Sequence, residues 1–382
     1  MKRIFSGLLA LTLLLTLALT GCGQRAGGQQ QNPTGPDWST LEQTGSMQLD
    51  YAQQFSVDYY GDYALISIPD DQSRYLLVPE GEGVPKGLEE DITVLCQPLD
   101  NIYLVASASM DMFLAADALS SIRFVGLDQD GWYLPGVKEA LQAGDLVYAG
   151  KYSAPDYERI CAEDCSLAIE NTMIYHDPGI REELEHLGIP VMVDHSSYES
   201  DPLGRMEWVK LYGLLTGHLD QAEQAFDQQE QAFSQLSEVS TGKTVAFFYL
   251  NTNGAAVVRR STDYVAKLIE IAGGEYAFPE LGAEEGSHSS TTTIQMEAFY
   301  MTAKDADYII YNSSIMGEMN TLDDLLAKNE LFANFRAVQE GHVYCTTENL
   351  YQSSMQLGTF VQDLNTMLSD QSGEMTFLYP LE

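Results

Sequence analysis

Between residues 101 and 193, short apolar runs of strand length alternate with stretches whose apolar residues recur at helical spacing. The spacing predicts strands over 102–106, 122–126, 146–149, 167–169 and 190–193, with helices over 110–119, 136–143, 156–163 and 179–187 between them. Strands that are apolar throughout and separated by helices form a parallel sheet covered on both faces. From 202 to 239 the helical period is almost unbroken, interrupted only near Gly217-His218, and its second half is rich in Gln, Glu and Ala. The alternation restarts at Thr244-Val-Ala-Phe-Phe-Tyr-Leu250. It continues with helices over 263–272, 293–302, 322–328 and about 354–368, and strands over 308–311 and 343–345. The pattern predicts an α/β fold of two Rossmann-like lobes with parallel-type sheets, joined by one long rigid interdomain helix. A β-rich stretch over 55–78 reads as a hairpin leading into the first lobe.

The first residues follow neither rhythm. Lys2 and Arg3 precede an apolar run over 4–19, too short for a membrane span and ordered like a signal peptide. It ends in Leu19-Thr20-Gly21-Cys22, which resembles the lipobox of bacterial lipoproteins, and the resemblance implies a diacylglycerol on Cys22. Residues 23–46 are rich in Gly, Gln, Pro, Ser and Thr and read as a flexible tether. The expected organisation is a signal peptide (1–21), a lipid-anchored tether (22–46), an N-terminal α/β lobe with a β-rich extension (47–201), an interdomain helix (202–239) and a C-terminal α/β lobe (240–382). The protein is expected on the outer face of the cytoplasmic membrane.

Composition narrows the function. The 382 residues carry 19 Lys and Arg against 56 Asp and Glu, a formal charge of −37, which excludes binding to a phosphate backbone. A hydrophobic content of 45% suffices for two cores. Besides Cys22 there are Cys96, Cys161, Cys165 and Cys345; Cys161 and Cys165 lie four apart on an expected helix, without a CxxC pair, and all read as buried free thiols. The sequence has no HExxH, GxSxG or GxxxxGK[ST] motif, and its six histidines are scattered. It reads as a non-enzyme without cofactor or metal site, although its many carboxylates leave a surface glycosidase with paired acids open.

Several local motifs carry a wider resemblance: Tyr157-Glu158-Arg159-Ile160 before Leu167-Ala-Ile169, the run Asp201-Pro-Leu-Gly-Arg-Met-Glu-Trp-Val-Lys-Leu-Tyr-Gly213, Ile271-Ala-Gly-Gly274 after Asp263-Tyr264, and Met296-Glu297 before Asp305-Ala-Asp-Tyr-Ile-Ile310. With the lipobox and the spanning helix, the chain resembles the substrate-binding lipoproteins of ABC importers, in the iron-siderophore, heme and cobalamin class. The resemblance implies a monomeric receptor that captures an iron chelate between its lobes and delivers it to a membrane permease, with a corrinoid or heme as the alternative. It also implies one docking glutamate per lobe, Glu158 and Glu297, facing permease arginines. The chain has Glu163-Asp164-Cys165 where the class commonly has Lys-Pro-Asp.

Ligands of open α/β lobes bind at the carboxyl ends of the strands. The residues expected there are Ser107, Ser109, Lys151, Tyr152, Glu170, Asn171, Ser197 and Tyr198 from the first lobe, and Asn251, Arg259, Arg260, Asn312 and Tyr351 from the second. His288 joins them from the loop Gly286-Ser-His-Ser-Ser290. Arginine suits an anionic chelate because its planar fork pairs with carboxylate or phenolate oxygen. Neighbours on a strand point to opposite faces, so at most one of Arg259 and Arg260 faces the cleft. Arg205 reads as bonding carbonyls or acids near the start of the long helix, and Trp208 as packing.

Overall fold

A computed structural model describes residues 33–234, 240–282, 289–371 and 373–382. The expected signal peptide, Cys22, the first part of the expected tether, residues 235–239 and His288 lie outside the described residues.

The N-terminal extension is a five-stranded sheet: β1 (Gly45–Ser46), β2 (Ser56–Tyr60), β3 (Tyr63–Ile68), β4 (Ser73–Val78) and β5 (Ile92–Cys96), in that order. The expected hairpin supplies β2 to β4, while β5 is added parallel to β4. The tether ends before residue 46. The Gly35 N–H donates to Val84 O at 2.9 Å, the Trp38 ring lies 4.7 Å from Tyr60, and Trp38 and Leu41 pack on one face of the sheet. Those two apolar side chains are enough to fold back a segment whose composition is otherwise that of a linker.

The first lobe contains β6 (Ile102–Leu104), α1 (Met110–Ala115), β7 (Ile122–Val125), α2 (Pro135–Ala143) and β8 (Val147–Tyr148). A small hairpin, β9 (Gly150–Lys151) and β10 (Ala154–Pro155), precedes α3 (Tyr157–Ala162), β11 (Ala168–Asn171), α4 (Pro178–His186) and β12 (Val191–Asp194). The sheet order is β12-β11-β6-β7-β8 and every neighbouring pair is parallel. In register, Ala168 sits beside Tyr103 and Val191, and these pack with Phe124, Ile160 and Leu184 on one face. Leu104, Ile169 and Met192 point to the other face and join the main core.

The connector is two helices, which corrects the expected single one. Helix α5 (Pro202–Thr216) starts at Asp201, whose side chain accepts the Leu203 N–H, and stops at Gly217, where φ is 75° and the cap N–H returns to Gly213 O and Leu214 O. A left-handed residue ends a helix, and glycine adopts it without steric cost. Helix α6 (Leu219–Ser234) then turns back against α5. A Cβ on Gly213 would lie 2.4 Å from the Ala222 Cβ, so the close approach requires glycine there.

The second lobe runs through β13 (Thr244–Leu250), β14 (Ala256–Arg259), α7 (Tyr264–Ile271), β15 (Glu275–Tyr276), β16 (Thr291–Ile294), α8 (Met296–Ala303), β17 (Tyr308–Tyr311) and α9 (Ser313–Met316). It ends with α10 (Leu322–Lys328), α11 (Arg336–Glu340), β18 (Val343–Thr346), α12 (Leu357–Leu368) and β19 (Leu378–Pro380). The sheet order is β16-β14-β13-β17-β18-β19, with β15 also against β13. Its centre, β13, β17 and β18, is parallel, and β14, β16 and β19 are antiparallel additions.

Two buried glutamates bind the extension to the connector. Glu207 accepts the N–H groups of Asp50 (3.0 Å), Tyr51 (2.9 Å) and Ala52 (2.8 Å), and pairs with Lys210 at 2.8 Å. Glu199 accepts Gln53 and Gln54 N–H, both at 2.9 Å, and Trp208 Nε1–H at 3.1 Å. Burial raises the Glu199 pKa, against the lowering effect of those donors.

Candidate functional site

Because all strands of the first sheet run the same way, their carboxyl ends gather at one edge. Ser107 and Ser109 follow β6, Lys151 and Tyr152 follow β8, Asn171 ends β11, and Ser197 and Tyr198 follow β12. In the second lobe Asn251 follows β13, Asn312 follows β17 and Tyr351 follows β18.

The two edges meet directly. After Tyr351, Gln352 donates to Gly131 O and accepts from Tyr133 N–H, both at 2.8 Å. Ser354 Oγ donates to Ala108 O at 2.6 Å, and Asp111 Oδ2 accepts the Met355 N–H at 2.8 Å. These bonds tie segment 352–355 of the second lobe to the strand-end loops of the first. The sequence reading missed Gln352, Asp111 and Tyr133, although each lies within a few residues of a strand end, the signal used for the others.

Several expected site residues have structural partners. Ser109 is fully buried and donates to Asp194, which also accepts Tyr212 OH at 2.7 Å and Ser196 N–H at 2.6 Å. Asn171 caps the next turn, accepting Met173 N–H at 3.0 Å. Asn251 closes the β13–β14 turn by accepting Asn253 and Ala255 N–H. Asn312 Nδ2 donates to Tyr351 OH at 2.7 Å, joining two strand ends. Lys151 and Ser197 are exposed, and Ser107, Tyr152 and Tyr198 are half-buried.

Arg259 points inward and Arg260 does not. The Arg259 guanidinium is 3.5 Å from Asp263 Oδ2 and 4.8 Å from the Tyr351 ring centroid, in a side chain buried on the last residue of β14. Arg260 donates to Thr291 O at 3.3 Å and Gly282 O at 3.4 Å. Arg205 rests its guanidinium 4.1 Å from the Tyr264 ring centroid, a cation–π contact where sequence suggested carbonyls or acids. Trp208 is buried as packing.

Glu170 is buried on the face of β11 that carries Ala168, and neither carboxyl oxygen has a hydrogen-bond partner. Burial raises its pKa to about 8, so it is mostly a neutral acid at pH 7. Cys161 is exposed, against the expectation, and Cys165 lies beyond the end of α3 rather than on it; Cys165 and Cys345 are buried and Cys96 is half-buried. Among the described residues there is no group of three His, Cys, Asp or Glu able to hold a metal ion, and no helix is long and apolar enough to cross a membrane.

Glu158 and Glu297 are both exposed in the first turn of a helix, α3 and α8, each of which leads into a sheet strand. An acid there is favoured by the helix dipole.

Comparison with known proteins gives the fold a context. The chain is 24% identical over 396 residues to an uncharacterized lipoprotein of Methanocaldococcus jannaschii, covering 95% of this chain and 92% of that one. A periplasmic heme binding protein from Pseudomonas aeruginosa superposes with a TM-score of 0.57 at 17% identity, covering 74% of this chain and 98% of its own. The vitamin B12 binding protein BtuF of Vibrio cholerae does so with a TM-score of 0.50 at 14% identity, covering 72% and 98%. At these identities the superpositions speak for the fold alone. The sequence profile described as "Periplasmic binding protein" matches residues 127–350, taking in strands of both lobes and the two helices between them. With more than half of its length under that profile, the chain belongs to the periplasmic binding protein family.

Proposed function

We propose that this protein is a lipid-anchored solute receptor that captures a metal chelate, of the iron-siderophore type, between its lobes and passes it to an ABC transporter permease. The observation that carries the reading is the meeting of two sets of strand ends at Gln352, Ser354 and Met355, which sets side by side the edges at which open α/β sheets bind ligands. Cys22 supplies the anchor on the outer face of the cytoplasmic membrane, and Glu158 and Glu297 orient the receptor on the permease. Ser107, Tyr152, Tyr198 and Tyr351 are the wall residues offered to the ligand. A corrinoid or heme is the second reading, supported by the tyrosines of those walls, whose rings suit a flat macrocycle.

The test is a fluorescence titration of the purified protein, which carries 3 Trp and 22 Tyr, against ferric siderophores, corrinoids and heme. Saturable quenching by one class without product formation supports the receptor. Turnover of a glycoside, with no chelate bound, would replace it with a surface hydrolase.

A further inference from the structure

The loops at the strand carboxyl ends have a marked chemical bias. Segments 105–109, 126–134, 149–153, 171–177, 195–198, 251–255, 312–320 and 347–356 hold Asp128, Asp130, Asp177, Glu318 and Glu348 against a single Lys or Arg, Lys151, alongside His176 and His195. The exposed large apolar side chains concentrate at the same edges: Tyr133, Tyr148, Met173 and Tyr175 on the first lobe, and Ile315 and Met316 on the second, with Leu187 and Met301 elsewhere. Of these acids, Glu348 and Glu318 of the second lobe lie near enough to the Tyr133 phenol of the first to act on its charge. The Tyr133 ring already receives a cation, with Lys138 Nζ 5.6 Å from its centroid.

A protein of formal charge −37 repels anions at long range, so selecting an anionic chelate requires local positive charge in the cleft. Apart from the exposed Lys151 at one edge, the two arginines nearest the strand ends do not provide it. Arg259 is engaged with Asp263 and Tyr351, and Arg260 with the backbone carbonyls of Thr291 and Gly282. We infer that this cleft takes a chelate of zero or positive net charge that presents a broad apolar face, held against Tyr133, Met173, Tyr175, Ile315 and Met316 with Glu318 and Glu348 at its edge. The inference rests on the receptor reading above and adds the charge class of its ligand. Tyrosine faces and carboxylates together favour a soft-edged cation or a neutral ring system over a polyanion.

Matched ligands isolate charge from shape. A linear ferric trihydroxamate with a free ammonium is compared with its N-acetyl and N-succinyl derivatives, which carry neutral and anionic ends on the same chelate. Cyanocobalamin is compared with its monocarboxylate, and heme dimethyl ester with heme. In whichever set binds, the anionic member is expected to be about tenfold weaker or worse, roughly the effect of one unscreened like charge near the site. In the hydroxamate set, Glu318→Gln and Glu348→Gln should bring the three members closer together, and Tyr133→Ala should weaken them all by a similar factor. An anionic member that binds as well as its partners, or better, overturns the inference and leaves the receptor standing. No binding in any of the three sets overturns both.

Discussion

Asp111, on α1 of the first lobe, accepts the backbone N–H of Met355 in the second lobe at 2.8 Å, and burial raises its pKa from 3.8 to about 6 against the lowering effect of that bond. The folded state therefore holds a proton that the unfolded chain gives up earlier. Between about pH 4 and pH 6 the unfolded chain binds fewer protons, so stability falls as pH rises and the loss is complete above the folded value. Asp111→Asn keeps an oxygen for Met355 and should raise the melting temperature near pH 7 while changing little near pH 4. Calorimetry at the two pH values decides it; a variant less stable at both would mean that the charge itself holds the lobes together.

Glu170 follows the same sign over a wider window, from about 4.5 to about 8, because burial acts on it and no partner offsets it. A tenfold change in proton affinity is worth about 1.4 kcal/mol. Glu170→Gln should stabilise the protein by up to a few kcal/mol near pH 8 and hardly at all near pH 4. Urea titrations at both values read this out, and equal effects at both would show that hydrogen bonding rather than ionisation dominates the site.

Removing the Glu207 carboxylate leaves three backbone N–H groups and Lys210 without their buried acceptor. Breaking one side of a buried pair typically costs about 3–5 kcal/mol. Glu207→Ala should lower the urea midpoint by that order and open residues 47–54 to limited proteolysis. Cleavage there at the wild-type rate would show that the extension is held mainly by its own sheet.

Docking and ligand binding should separate. Glu158→Arg and Glu297→Arg change exposed first-turn charges outside the cleft. Ligand affinity should be kept and uptake lost through repulsion at the permease. Normal uptake by either variant removes that residue from the docking role.

Anchoring should depend on Cys22. A lipid chain contributes about 0.8 kcal/mol per buried CH₂, and the apolar run before it is cleaved away in a lipoprotein. Cys22→Ser should abolish lipid labelling and release the mature form from membranes. A cleaved, membrane-bound Cys22→Ser protein would contradict the lipobox.

The strands at the centre of both sheets are legible in the sequence because they are apolar throughout: β13 and β17 are placed to the residue, and β6 and β7 to within two. The added strands are not. In β14, Ala-Val-Val-Arg is only four residues after a glycine turn, and in β16 the three threonines merge with the start of α8 although β-branched residues favour strands. The connector reads as one helix because Gly213 and Gly217 look like tolerated interruptions until the close approach of Ala222 gives them a purpose. At the site, the sequence places residues near strand ends without showing which are already engaged. Asn251, Asn312 and Ser109 are consumed by turns and networks, the last two with partners from distant segments. The direction of Arg259 becomes clear only with Asp263 and Tyr351 beside it.

The extension also makes the lobes mechanically unequal. Its hydrogen bonds described above run to the connector through Glu199 and Glu207, and Tyr75 OH adds a bond to Val191 O of the first lobe at 2.8 Å. The second lobe shares none of these bonds. Chain leading in from the N-terminus therefore pulls first on a body made of extension, connector and first lobe, and reaches the second lobe only through that body.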